Sequence, residues 1–323
     1  MPDHWIDLWE QPWSKRLLLF FLLFGLIFAL DPSGTGLARV VLPMTGFGTG
    51  EEAGFGPRVL LAAILAAVLA INLVLILKLP LKLQILVVWA ELLGMFLGFF
   101  YSFDLSFPFI VVRLPILILT GAFTTIYVSM ISIAFACVLA MAGALARLSK
   151  NGPAFGIATF YISFFRGTPL LLQVYVIYAG LPQLGIILDA VPSGIIALSL
   201  CYGAYMAEIF RAGIEGVPKG QAEAATALGL KKGLIMRKVV LPQAMKLIVP
   251  PTGNQFIAML KDSSLVSVVG VQELMFLART QGRSEFKHFE MLITAAVIYW
   301  IISFCFELIQ ARLEAYYGKG DVR

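Results

Sequence analysis

Apolar residues along this chain gather into long runs, and the polar ones fall mostly between them. A helix needs about 17–25 consecutive apolar residues to cross a hydrocarbon core. Eight segments meet that length: 13–30, 59–77, 83–103, 114–145, 155–179, 192–210, 239–260 and 291–310. The pattern therefore predicts an all-α polytopic membrane protein with eight transmembrane helices. The first three are plain, broken at depth only by Asn72, Gln84 and Glu91. The fifth to seventh are irregular, because they carry Arg166, Glu208, Pro242, Lys246, Pro250 and Pro251. The first segment has a second reading. Lys15-Arg16 followed by 14 apolar residues also resembles a secretory signal, although its lead is long and no A-x-A site follows. Either reading places residue 31 outside.

Composition agrees with the pattern. Of 323 residues, 60% are hydrophobic and 13% charged, with a mean hydropathy of +0.90. Ordinary soluble domains run near 45–50% apolar and about 25% charged. Disorder, a disulfide scaffold and a soluble globule are excluded. Cys137, Cys201 and Cys305 lie singly in apolar segments and read as small buried hydrophobes. His4 and His288 are far apart, so no metal cluster is expected. No basic run is interleaved with aromatics, so no nucleic-acid partner is expected.

Charge then orients the spans. With the N-terminus inside, 16 Lys and Arg fall on inner segments and 6 on outer ones. That asymmetry places both termini in the cytoplasm. Two parts emerge. Residues 1–105 hold the three plain helices, and 106–323 hold five spans rich in polar residues, Gly and Pro. Residues 31–57 form a Gly-rich outer loop. Between 121 and 144, Gly121, Ala134, Ala136, Ala140 and Gly143 form a small-residue surface suited to close helix packing.

The longest inner segment, about 211–238, is the most informative. Pro218 suits a first helical turn, and 221–230 is strong helix former. Gly229 or Gly233 can end the helix. A short helix with a small-residue face outside the hydrocarbon follows. It can enter a cleft on another protein or rest on lipid headgroups.

The residues of this loop carry a resemblance. Glu223-Ala224-Ala225, three residues, Gly229, nine residues, Val239, one residue and Leu241-Pro242 resemble the EAA signature of ABC importer permeases, with Val239 where the family prefers Ile. The flanks resemble the polar amino-acid permeases of the histidine/glutamine/arginine type. They are Phe165-Arg166-Gly167-Thr168-Pro169-Leu170-Leu171, Glu208-Ile209-Phe210-Arg211-Ala212-Gly213-Ile214, Leu241-Pro242-Gln243-Ala244 and Lys261-Asp262-Ser263-Ser264-Leu265. The resemblance covers about residues 112–318. The first 105 residues are similar, in hydropathy and length only, to the extension of some broad-range members.

The resemblance implies a five-helix permease core that pairs with a second permease, identical or paralogous. It implies a cytoplasmic ATPase dimer that receives the loop through Glu223, Ala224, Ala225, Gly229, Leu241 and Pro242. It implies an extracytoplasmic amino-acid-binding protein and a prokaryotic inner or plasma membrane. The chain has no GxxxxGK[ST] loop, so ATP and Mg belong to the partner ATPase, and this subunit is not itself an enzyme.

The residues add candidates for a solute path. Arg166 lies about 11 residues into its segment, roughly 16 Å at 1.5 Å per residue. Charges at such depth usually face a bundle interior or a wet cavity. Gly167 and Pro169 beside it predict a broken helix, which is tolerated where it lines a cavity. Arg166, Thr168 and Gln173 are therefore path candidates, with a structural Arg as the alternative. Glu208 is another, or else a partner of Arg211. Asn254 follows Pro250-Pro251, where an interruption is expected. Lys261, Asp262, Ser263 and Ser264 complete the set, with the two opposite charges expected to neutralise each other. A zwitterionic amino acid needs both signs. Glu91 is a lone intramembrane acid, either protonated or paired to a helix. An ion-coupled secondary carrier using Glu91, Glu208 or Asp262 is the competing reading. A membrane scaffold would leave Arg166 and the broken helices without purpose, and no nucleophile–base pair supports an enzyme.

Overall fold

The structure is a computed structural model that describes residues 13–29, 55–101, 105–149 and 151–318. The Gly-rich segment 31–57 lies outside them as far as residue 54. Every regular element among the described residues is helical. The chain divides into two compact units, Met1–Leu105 and Ser106–Arg323.

The first unit contains α1 (Trp13–Ala29), α2 (Phe55–Leu77) and α3 (Leu81–Tyr101). Its helices are apolar on all sides, as lipid-facing helices are. α1 packs on α2, which buries Leu61, Ala62 and Ala66 fully. Phe28 meets Phe55 edge-on at 5.7 Å, and Arg58 lies over the Phe28 ring. The α2–α3 turn is closed by Gln84, whose side-chain amide donates to the Leu79 carbonyl at 2.8 Å. Deeper in the hairpin, Asn72 Nδ2 donates to Glu91 Oε1 at 2.9 Å, so the acid of α3 is paired to a neighbouring helix.

The second unit contains α4 (Phe107–Leu148), α5 (Gly152–Gly167), α6 (Leu170–Leu184), α7 (Ala190–Glu215), α8 (Lys219–Ala227), α9 (Leu241–Asp262), α10 (Leu274–Ser284) and α11 (His288–Gly318). α4 runs for 42 residues and contains a π turn at Leu117–Ala122, just after Pro115. The expected span 114–145 is thus the larger part of a longer helix. Among the described residues, four helices are long and apolar enough to cross a membrane, and the bent pair α5–α6 makes five. α9 also forms over its expected segment, but it is more polar and continues unbroken through Pro250 and Pro251. The interruption expected there does not occur. The two prolines forfeit donors to the preceding turn, and Gln310 Nε2 of α11 binds the Pro250 carbonyl at 3.0 Å.

The centre of this unit is the α4–α7 pair, and its sequence explains the closeness. Ala136, Ala140 and Ala144 repeat every fourth residue on α4 and are fully buried, as are Ala197, Ala204 and Ala207 of α7. A Cβ added to Gly143 would stand 3.1 Å from that of Ala207. Backbones this close exchange polar contacts: Ser199 Oγ donates to the Ile195 carbonyl at 2.6 Å and reaches the Ser132 carbonyl at 3.3 Å. A second core gathers Leu117 of α4, Leu274 and Leu277 of α10, and Met291 and Ala295 of α11. Glu273 is fully buried at its edge and caps α10, accepting from Met275 N at 2.9 Å and Phe276 N at 2.7 Å. The Tyr299 hydroxyl donates to the same carboxylate. Burial raises the Glu273 carboxyl above its usual range, although these donors pull it back.

Candidate functional site: a charged cavity and a loop helix

A chain that meets proline loses helical freedom one residue early, and Thr168 before Pro169 shows it. Thr168 is extended (φ −106°, ψ 145°), and α5 turns through 107° into α6. The corner is stapled from within. Gln173 Nε2 donates to the Phe165 carbonyl at 2.9 Å, the Thr168 carbonyl at 3.0 Å and Thr168 Oγ1 at 2.9 Å. Thr168 Oγ1 in turn donates to the Phe164 carbonyl. Gln173 is thereby buried and faces the corner's backbone instead of open space.

Outside the corner lies a cavity of about 440 Å³, lined among others by Arg166, Thr168, Tyr202, Tyr205, Gln255 and Asp262. Four elements meet here: the end of α5, the corner, α7 and the end of α9. The Arg166 guanidinium lies over the Tyr205 ring, 5.4 Å from its centroid. That contact offsets part of the cost of a cation at depth. Asp262 Oδ2 accepts from the Tyr202 hydroxyl at 2.7 Å. The cavity holds one group of each sign, and among the described residues neither is in an ion pair.

Of the nine sequence-derived path candidates, the structure brings three together here: Arg166, Thr168 and Asp262. The rest lie elsewhere. Glu208 sits near the end of α7 between two arginines, 2.8 Å from Arg211 and 3.8 Å from Arg147. Arg147 also donates to Thr159 Oγ1 at 2.9 Å and lies over Phe155, so this cluster ties α4, α5 and α7 together. Asn254 accepts from Gln310 at 2.9 Å on the side facing α11. Ser263 is buried and donates to the Leu260 carbonyl.

Lys261 and Ser264 line a different cavity, beside Tyr299, Trp300 and Glu307. The mutual neutralisation expected of Lys261 and Asp262 is therefore corrected. Successive helix residues diverge by about 100°, and such neighbours do not face each other. Sequence reasoning missed Tyr202, Tyr205 and Gln255. Their spacing could have found them: Tyr202 and Tyr205 are three apart on α7, and Gln255 precedes Asp262 by seven on one face of α9.

The loop helix is the second feature. α8 follows Pro218 and buries Ala225 in the main core beside Ile235 and Val240. Gln243 Nε2 of α9 donates to the Val239 carbonyl at 2.9 Å and reaches Gln221 Oε1 at 3.5 Å. The exit is a two-bond cap. Gly229 N donates to the Thr226 carbonyl and Leu230 N to the Ala225 carbonyl, with Gly229 at φ +74°. A side chain there is strained, which is why glycine ends the helix. Glu223 and Ala224 are exposed, and so is Leu228, at 80%. Leu241 and Pro242 open α9, with Leu241 half-buried and Pro242 exposed.

Residues 139–317 match the family model of the binding-protein-dependent transport system inner membrane component. The chain belongs to that family. It is a permease subunit, multi-pass in a bacterial inner membrane. Among curated proteins, it is 41% identical over 204 residues to the L-cystine transport system permease protein TcyB of Bacillus subtilis (strain 168), covering 62% of this chain and 87% of that one. It is 38% identical over 205 residues to the arginine transport system permease protein ArtQ of the same organism, covering 63% and 94%. A solved amino acid ABC transporter with histidines matches at TM-score 0.62 and 36% identity, over 66% of this permease and 99% of that chain. The inward-facing MetNI methionine ABC transporter matches at TM-score 0.56 and 20% identity, which supports the fold alone.

Proposed function

We propose that this permease serves an ATP-driven ABC importer of polar amino acids, and that the α8 loop couples it to a separate ATPase dimer. The observation that carries the coupling is the loop itself. A nine-residue helix holds Ala225 in the core and leaves Glu223, Ala224 and Leu228 exposed beside a left-handed Gly229. An exposed leucine next to small side chains suits a protein cleft better than water. Leu241 and Pro242 anchor the far end of the loop. ATP and Mg bind the ATPase and not this chain. A second permease, identical or paralogous, completes the path, and an extracytoplasmic binding protein delivers the amino acid.

In this reading eight helices span the membrane with both termini cytoplasmic. Residues 106–323 form the core, with the coupling loop at about 211–238, and residues 1–105 form an accessory extension. The amino acid passes the Arg166–Asp262 cavity, where the two opposite charges suit a zwitterion. The amino-acid relatives support this substrate class. Purification of the tagged chain in mild detergent tests the assembly. An ATPase and an extracytoplasmic binding protein should co-purify, and the ATPase should be lost when Glu223→Ala and Gly229→Val are combined. Solute uptake by the chain alone, driven only by an ion gradient, would overturn the proposal.

A further inference from the structure

The cavity between α5, α7 and α9 carries one feature that a path for any amino acid does not require. Arg166 and Asp262 supply one charge of each sign, matching the carboxylate and ammonium common to all zwitterionic amino acids. Asp262 keeps one oxygen free of the Tyr202 hydroxyl, and among the described residues Arg166 is in no ion pair, although Glu208 lies within reach of its charge. The remaining uncommitted polar side chain is Gln255. It is half-buried, it lines the same cavity, and its carboxamide forms no hydrogen bond within the described chain. A carboxamide presents two donors and an acceptor and no charge.

We propose that Gln255 makes this cavity selective for amino acids with an uncharged polar side chain, a carboxamide or a hydroxyl. The inference rests on the reading of the cavity as part of the amino-acid path. Its logic is charge balance. A zwitterion uses both fixed charges through its main-chain groups. A carboxamide side chain then pairs donor to acceptor with Gln255. A guanidinium or ammonium side chain would bring a second positive charge toward Arg166, with only one amide oxygen to receive it. A side-chain carboxylate would bring a second negative charge toward Asp262. In either case a charge is desolvated without an opposite partner, which is costly. Arg166 and Asp262 fix the zwitterion, and Gln255 reads what hangs from it.

The test is equilibrium binding of radiolabelled L-glutamine, L-arginine and L-glutamate to the detergent-purified complex of the full chain with its co-purified ATPase. Wild type should hold L-glutamine at least about tenfold tighter than either charged amino acid. Gln255→Glu should reverse the glutamine–arginine order, because the new carboxylate supplies the missing partner. Gln255→Leu should weaken L-glutamine by about tenfold without strengthening L-arginine. Melting temperatures within a few degrees of wild type establish that both variants fold. Equal binding of glutamine and arginine by wild type, or an unchanged order in both variants, overturns the selectivity and leaves the importer reading intact. A wild-type complex that hydrolyses ATP yet binds none of the three overturns the placement of the amino acid here, and the inference with it.

Discussion

Glycine separates the two units of this chain more sharply than hydropathy does. In the first unit, a Cβ added at Gly25, Gly56 or Gly94 would meet nothing within 4 Å. In the second, it would stand 2.6 Å from the Tyr161 hydroxyl at Gly203 and 2.5 Å from Ile248 Cγ1 at Gly213. Both units are read from sequence as membrane helices, and among the described residues each contains at least one helix long and apolar enough to cross. Among the described residues, only in the second do the helices approach so closely that a methyl group is excluded. Lipid is as apolar as leucine, so helices gain little from burying apolar surface against each other. Close packing and polar contacts hold such a bundle, and the second unit has both. The first unit has Ala62 and Ala66 buried on α2 and the Asn72–Glu91 hydrogen bond.

That contrast sets the order of the expected effects. Gly203→Ala should be the most damaging single change, at about 1–3 kcal/mol of overpacking. It pushes on Leu139 and on Tyr161, whose hydroxyl donates to the Leu200 carbonyl. Gly94→Ala should leave the melting temperature unchanged, and equal losses for the two would erase the distinction between the units.

Gly229→Val comes next. A side chain in the left-handed region costs roughly 1–2 kcal/mol, enough to shift the loop's equilibrium by about tenfold. ATP-dependent uptake in proteoliposomes should fall accordingly while insertion and melting stay normal. Undiminished uptake would show that the loop's backbone geometry is not what couples.

A smaller effect belongs to the Arg147–Glu208 pair, because both side chains keep about a quarter of their surface exposed. A double-mutant cycle of Arg147→Ala with Glu208→Ala should give a coupling of about 0.5–1 kcal/mol, shrinking as salt is raised. The smallest belongs to Asn72→Leu, which should cost about 0.6 kcal/mol and leave uptake as it was. A strong loss of uptake would mean that the first unit acts on the path and is not accessory to it.

Much of this architecture is legible in the sequence, because long apolar runs and a proline after Thr168 act locally. So does Gly229, whose turn is fixed by four neighbouring residues. Of the expected small-residue surface, Ala136 and Ala140 are buried in the core shared with α7 and Gly143 meets Ala207, whereas Gly121 lies against Leu274 of α10 and Ala134 is exposed. What escapes the sequence is long-range or angular. Lys261 and Asp262 are neighbours on the page and occupy separate cavities, because the helix turns between them. Spacing places Tyr202 with Tyr205 on α7 and Gln255 with Asp262 on α9, but only the meeting of α7 with α9 brings them to Arg166. Pro250 and Pro251 read as a break, yet α9 runs on through both.

The π turn at Leu117–Ala122 has a consequence for insertions and deletions. It holds one residue more than the α pitch would take, and helix positions advance by about 100° per residue. Up to its first residue, Phe109 and Leu117 face the core shared with α10 and α11; beyond it, Val128, Ala136 and Ala140 face the core shared with α7. Losing a single residue here would let the turn relax to regular winding while the segments on either side keep the faces they present. Farther along α4 the same loss would rotate everything after it by about 100°, and Ser132 would leave the Ile195 carbonyl. This turn is therefore the place in the long helix where a lineage can shed a residue without redirecting either core face.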